Sequence, residues 1–239
     1  VKSVLYYVMP KKIINGTLFY AMEYFLVLNE IEPTQLILRT DEATFSKIME
    51  VFSAKYNYDK KLNEFIIFSN YTNLLKIIND KVLILDTNTY IKCKPLIRYS
   101  IFLYSENGNN EVSTNTYGYY NYQKFNRRER LKLGLKYHKK YEEKYEVFRS
   151  SLDMHKINGE DAKKPNTFMN LMEYKTWKYV HNGFDTNNRF VIEARYFNKE
   201  LIIDNKLDFD DSIQDRLQSP IEEFILDASD SMIQDFLKD

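Results

Sequence analysis

The sequence predicts an α/β fold built from two small domains, the first of them Rossmann-like. Three observations carry this expectation. Short, fully apolar runs of strand length alternate with helical patterns through the first third of the chain. A strand–helix–strand succession resumes after a polar stretch at 105–116. The length, 239 residues, accommodates one large domain or two small ones. Apolar short strands separated by helices are what a parallel sheet covered on both faces requires.

Taken in order, residues 4–8 form a continuous apolar run closed by Met9-Pro10. Asn15-Gly16 marks a turn, after which Leu18, Met22, Phe25, Leu26 and Leu28 recur at near-helical spacing up to Pro33. Residues 36–38 read as a second strand, and 43–56 as a helix with Phe45, Ile48, Met49 and Phe52 on one side. A third strand at 65–68, a short helix at 74–78 and a fourth strand at 82–85 complete the pattern. The boundary falls near 95–100, giving domains at 1–98 and 99–219. Beyond it come a strand at 117–122, a basic helix over 127–144 and a strand at 145–148. A polar loop at 150–166, a helix over 168–181, a helix over 190–196 and a strand at 201–203 follow. In the tail, 220–239, Pro220 opens a helix whose apolar residues from Ile221 to Leu237 repeat at helical spacing.

Composition narrows the function classes. Lys plus Arg (34) balances Asp plus Glu (34), so the whole molecule has no net attraction for nucleic acid or anionic membrane. The single cysteine, Cys93, excludes an intrachain disulfide and any multi-cysteine metal site. His138, His155 and His181 lack metal-ligand spacing, so no metal is expected. Residues 1–10 do not form the apolar core of a signal peptide, and no run reaches the roughly 18 apolar residues of a membrane helix. A cytoplasmic location is expected. Asp41 and Asp86 follow predicted strands, where α/β folds place ligands, but read as caps or turn formers.

The segment from Asp185 to Ala194 is the most informative. Two acids, Asp185 and Glu193, stand eight positions apart, with a polar turn after the first and an apolar helix start before the second. A loop feeding a helix in this way turns a carboxylate and unsatisfied backbone N–H groups toward a ligand. The stretch resembles the acid-x7-acid signature of retaining GT-B glycosyltransferases, in which the second acid is followed by alanine. The resemblance implies that Asp185 lies beside the donor sugar and that Glu193 holds the ribose hydroxyls. Asn187 and Asn188 stand where the family has an aromatic-glycine pair, and Arg189 follows them as a diphosphate contact.

Two further matches appear in the expected order. Gly118 and Lys124 keep the family's glycine-to-lysine spacing, so the resemblance makes Lys124 the phosphate-binding lysine. Tyr119 replaces the usual arginine, leaving Arg127 or Arg128 to supply the second cation. Gly16, after strand one, matches the glycine turn that borders the cleft in this family; the resemblance implies two small Rossmann-like domains facing that cleft, with the C-terminal helix in 220–239 crossing back to pack on the first domain. Catalytic roles thus fall on Asp185, Lys124 and Arg189, and donor-binding roles on Gly16, Gly118, Asn187, Asn188 and Glu193. The donor implied is a nucleotide-sugar, a UDP-sugar first among them, with no metal or other cofactor. The brevity of the chain points to the compact bacteriophage enzymes, some of which glycosylate modified bases in DNA. The alternative is a non-catalytic nucleic-acid-binding protein using the basic 124–144 helix. An epimerase or dehydrogenase is disfavoured because no GxGxxG follows the first strand.

Overall fold

The computed structural model of the chain describes residues 1–11, 13–70, 82–93, 101–103, 119–121, 134–149, 171–180, 189–204, 220–228 and 231–238. The expected helix at 74–78, the polar stretch 105–116 and the loop 150–166 lie outside them. The protein has a Rossmann-like α/β fold with parallel sheets. Its chain divides into two compact units, one of Val1–Ile48, Tyr58–Tyr137 and Ile225–Asp239, the other of Met49–Asn57 and His138–Phe224.

Among the described residues the first unit holds six strands: β1 (Lys2–Tyr7), β2 (Thr34–Arg39), β3 (Ile66–Ser69), β4 (Val82–Ile84), β5 (Ile101–Leu103) and β6 (Tyr119–Asn121). They lie in the order β3-β2-β1-β4-β5-β6, and every pairing is parallel. Register places Val4 of β1 between Leu36 of β2 and Leu83 of β4. Leu36, Ile37 and Leu38 are all fully buried. Successive strand residues point to opposite faces, so unbroken burial means that both faces of the sheet are covered. The sheet takes in strands on either side of the boundary placed near 95–100.

Helix α1 (Gly16–Asn29) begins at Asn15, whose extended backbone and side-chain oxygen cap it by accepting from Leu18 N at 3.0 Å. Burial is continuous from Leu18 to Leu28, so the helix is enclosed on all sides rather than on one stripe. Part of the cover comes from the short 3-10 turn Leu135–Tyr137. There the Tyr137 hydroxyl reaches Glu30 and the Leu26 carbonyl, and Lys136 pairs with Glu30 at 3.0 Å. Gly134 opens this crossing: a β-carbon there would stand 2.8 Å from Cβ of Glu23. Helix α2 (Glu42–Lys55) follows β2, and α3 (Thr87–Cys93) follows β4. At the start of β1 the buried Lys2 ammonium binds the Leu237 carbonyl at 2.6 Å and Glu32 at 3.1 Å.

The second unit contains β7 (Tyr145–Arg149), β8 (Tyr174–Val180) and β9 (Glu200–Asp204), again wholly parallel, with α4 (Arg189–Tyr196) between the last two in sequence. Its core gathers Trp177, Phe190, Phe148, Tyr179 and Leu171, with the Trp177 and Phe190 rings 4.9 Å apart. Residues 49–55 of α2 also belong to this unit. The orphan carbonyls of that helix end are taken up locally. Lys139 N donates to Lys55 O at 2.8 Å, Lys139 Nζ to Ser53 O at 2.5 Å, and the Tyr141 hydroxyl to Ala54 O.

Three sequence expectations are corrected. Residues 138–144 are not helical: Lys139 and Tyr141 donate to α2 carbonyls, and Lys144 to Glu173, instead of to a helix of their own. Tyr174–Val180 is a strand rather than part of a helix over 168–181, in keeping with its Tyr, Thr, Trp and Val content. The tail is broken into a 3-10 turn, Ile221–Phe224, and a short helix α5 (Ser231–Leu237). Between them in sequence lie Asp227, Ser229 and Asp230, residue types that favour turns over helix interiors.

Gly134→Ala should lower stability by about 1–3 kcal/mol, the usual cost of forcing a methyl into occupied space. A denaturant midpoint unchanged from wild type would mean that Glu23 yields without cost.

Candidate functional site

In an open parallel sheet, ligands bind outside the carboxyl ends of the strands, where the strand order reverses. In the first unit that reversal is at β1, flanked by β2 and β4. A hollow of about 310 Å³ opens at the carboxyl ends of β1, β2 and β3, lined by Tyr7, Arg39, Asp41, Thr44, Ser69 and Asn70 among others. Arg39 is held in place: its guanidinium lies 5.2 Å over the Tyr7 ring, donates to the Lys92 carbonyl and stands 3.6 Å from the Cys93 sulfur. Burial pushes the Cys93 thiol up, against the opposing pull of Arg39. Gly16 opens α1 after β1, beside the cap Asn15, which is hydrogen-bonded to the Tyr6 hydroxyl.

Asp41 and Asp86 share one local device, an aspartate that accepts from both the amide and the hydroxyl of a threonine three residues on. Asp41 takes Thr44 at 2.9 and 2.8 Å. Asp86 takes Thr89 at 2.8 and 2.5 Å, and the Thr89 hydroxyl oxygen in turn accepts from Tyr7 N at 2.9 Å. Both acids are helix caps, as their positions suggested. Their environments drive them apart. Asp41 is exposed, and the Thr44 hydrogen bonds hold it below the ordinary value; burial raises Asp86 despite its Thr89 bonds.

The second unit carries a buried ionic cluster centred on Glu193. Its carboxylate meets the Lys55 ammonium at 3.2 Å (Oε1) and 3.4 Å (Oε2), and Arg189 Nε at 2.5 Å (Oε1). The Lys55, Glu193 and Arg189 side chains are 3%, 4% and 10% exposed. Arg189 Nη2 lies 3.4 Å from Nε2 of the buried His138, whose ring packs edge-on to Tyr56 and against Phe197. Arg189 opens α4 and Glu193 lies one turn on, so helical geometry alone brings them together.

Of the residues singled out by sequence, Gly16, Arg189 and Glu193 are described. Asp185, Asn187, Asn188, Gly118, Lys124, Arg127 and Arg128 lie outside the described residues, as do His155 and His181. Arg189 and Glu193 bind each other. Glu193 is enclosed, and the guanidinium expected at a diphosphate is directed to that carboxylate through Nε. Lys55 escaped sequence reasoning because its partner is 138 positions away and its own surroundings read as an ordinary helix end. Several lysines of the basic stretch are already engaged: Lys136 with Glu30, Lys139 with Ser53 O, and Lys144 with Glu173 at 2.7 Å. Among the described residues no helix is long and apolar enough to cross a membrane, and no group of three or more His, Cys, Asp or Glu is placed to hold a metal ion. No family model matches the chain, nor does any curated protein or solved structure.

The burial of these charges has consequences for stability. Glu193→Ala leaves Lys55 and Arg189 buried without their shared carboxylate, and should cost about 3–5 kcal/mol in thermal unfolding; a loss below about 1 kcal/mol would show that the enclosure relaxes freely. For the caps the signs oppose. Asp41 has a lowered folded value, so its contribution is full above the ordinary value of 3.8 and fades as pH falls through the folded one. The stability gap between wild type and Asp41→Ala should therefore close on acidification. Asp86 has a raised value, so its ionised form is disfavoured, and Asp86→Asn should gain on wild type as pH rises.

Proposed function

We propose that the chain is a glycosyltransferase of the GT-B type, moving a sugar from a nucleoside diphosphate sugar to a hydroxyl acceptor. The observation that carries this reading is the β8–α4–β9 succession. Residues 181–188 connect the carboxyl end of a parallel strand to the first turn of α4; Asp185 falls within that connection in sequence, and Glu193 within the helix it leads to. This is the position at which parallel sheets present loop groups and helix-terminal amides to anionic ligands.

In this reading Asp185 attends the donor sugar and Glu193 the ribose, with Asn187, Asn188 and Gly118 beside the donor. The departing diphosphate takes on negative charge, which Lys124, the α4 amides and Arg189 offset; preorganised charge stabilisation of this kind usually contributes more to catalysis than any other effect. The Lys55 and Arg189 cations around Glu193 keep its carboxylate in a defined place. The polar hollow at Arg39, Asp41, Ser69 and Asn70 suits a hydroxylated acceptor, with Gly16 at the same edge of the sheet. A modified base in DNA is one such acceptor.

The test is a thermal-shift panel of UDP-, GDP- and ADP-sugars, followed by transfer assays. A donor at 100 times its Kd stabilises the native state by about 2.7 kcal/mol, which is readily seen as a raised Tm. One nucleotide class is expected to stabilise the chain, and Asp185→Asn to keep the fold while losing at least about 100-fold in transfer. A panel with no shift, together with no transfer, overturns the proposal.

A further inference from the structure

The carboxyl edge of a parallel sheet is where such folds offer backbone N–H groups to anions. In the first unit those groups are already spent. Val8 N donates to Arg39 O and Thr40 N to Ser69 O, each at 3.2 Å, so the strand ends around the hollow are tied to one another. Tyr7 N donates to the Thr89 hydroxyl oxygen at 2.9 Å. The helices that begin along this edge carry their own caps: Leu18 N goes to Asn15, Thr44 N to Asp41 and Thr89 N to Asp86. A phosphate entering the hollow therefore meets the Asp41 carboxylate in the place where an uncapped helix presents amides. The two charges of the lining are held differently. Arg39 Nη1 is committed inside the protein, to the Lys92 carbonyl and the Cys93 sulfur, with the guanidinium over the Tyr7 ring. Asp41 is exposed, and Thr44 takes one acceptor position on each of its oxygens, the amide on Oδ1 and the hydroxyl on Oδ2. A carboxylate oxygen has about two such positions, so one on each is left for a ligand, in a plane that the Thr44 bonds fix. Two acceptors side by side match two hydroxyls on neighbouring carbons. Tyr7, Val8 and Pro10 add an apolar part of the lining suited to the C–H groups of the same ring.

We infer that the hollow at the ends of β1, β2 and β3 binds an uncharged sugar ring, with Asp41 accepting from two neighbouring hydroxyls, and selects against phosphorylated ligands. Asp41 disfavours an anion there and Arg39 a cation, which leaves the hydroxyl as the matching group. As a binding site this stands on the hollow alone. As the acceptor site of a transfer it rests on the glycosyltransferase reading above and narrows the hydroxylated acceptor to a neutral glycoside. DNA fits less well, because every nucleotide brings a phosphate toward Asp41.

The experiment titrates the full chain, followed by two-dimensional amide NMR, with the methyl glycosides of glucose, galactose and mannose. Each is set beside its counterpart carrying a phosphate on the primary hydroxyl, with inorganic phosphate as a further probe. At least one neutral glycoside is expected to move the amides of Val8, Asp41 and Thr44. It should bind about tenfold or more tightly than its phosphate, the scale of one like-charge contact near a protein surface. Asp41→Asn keeps a side chain that caps α2 while removing the charge, and should bring that ratio close to one and weaken the neutral glycoside. The wild-type ratio decides even where the variant does not fold: a phosphorylated sugar bound as tightly as the neutral one, or more tightly, overturns the inference. So does a wild type in which no glycoside moves these amides, or in which a single-stranded oligodeoxynucleotide displaces the glycoside from them. A folded Asp41→Asn with the wild-type ratio overturns it too. In each of these cases nucleotide-sugar binding and transfer, measured separately, leave the glycosyltransferase reading intact. A glycoside held here by a chain that binds no nucleotide-sugar supports the binding site and overturns that reading.

Discussion

Parallel pairing around β1 is the constraint on which the first unit depends. A parallel strand cannot turn straight back into its neighbour; the chain must cross over, and the crossing element has to lie on one face or the other. Hence the strands are short and apolar on both sides, and the helices that follow β1, β2 and β4 begin at the same edge of the sheet. Helix starts need caps, which explains why Asn15, Asp41 and Asp86 are found along that edge. The polar rim of the hollow is thus a by-product of fold construction, since the groups that terminate strands and start helices are the groups a ligand would meet.

The second unit solves a harder electrostatic problem. Taking Lys55, Arg189 and Glu193 out of water incurs desolvation that their attraction only partly offsets. Such an arrangement tolerates removal of any single member poorly, because the remaining charges stay enclosed. At the end of α2, carbonyls, amide and side chain are all engaged in hydrogen bonds.

How much of this was readable in the sequence depends on the range of the interactions involved. The strands at 4–8, 36–38, 65–68 and 82–85 were legible because a wholly apolar run of that length has few other uses. Helix α4 was legible from its apolar start at Phe190 and Val191. The stretch 174–180 misled because it was read as part of a longer helical run over 168–181, although its Tyr, Thr, Trp and Val residues favour the strand that pairs with β7 and β9. Residues 138–144 misled because charge and aromatic spacing say nothing about which carbonyls their donors will find. The Arg189–Glu193 contact lay within reach of a spacing rule, i to i+4, whereas Lys55 did not.

The engagement of the basic stretch bears on how the molecule would meet a polyanion. Lysines counted along 134–144 look like a reservoir of positive charge, but Lys136, Lys139 and Lys144 already lean on Glu30, a helix-end carbonyl and Glu173. A polyanion laid against this stretch would have to draw these lysines away from partners they already hold, so its gain per lysine is smaller than the number of basic residues suggests.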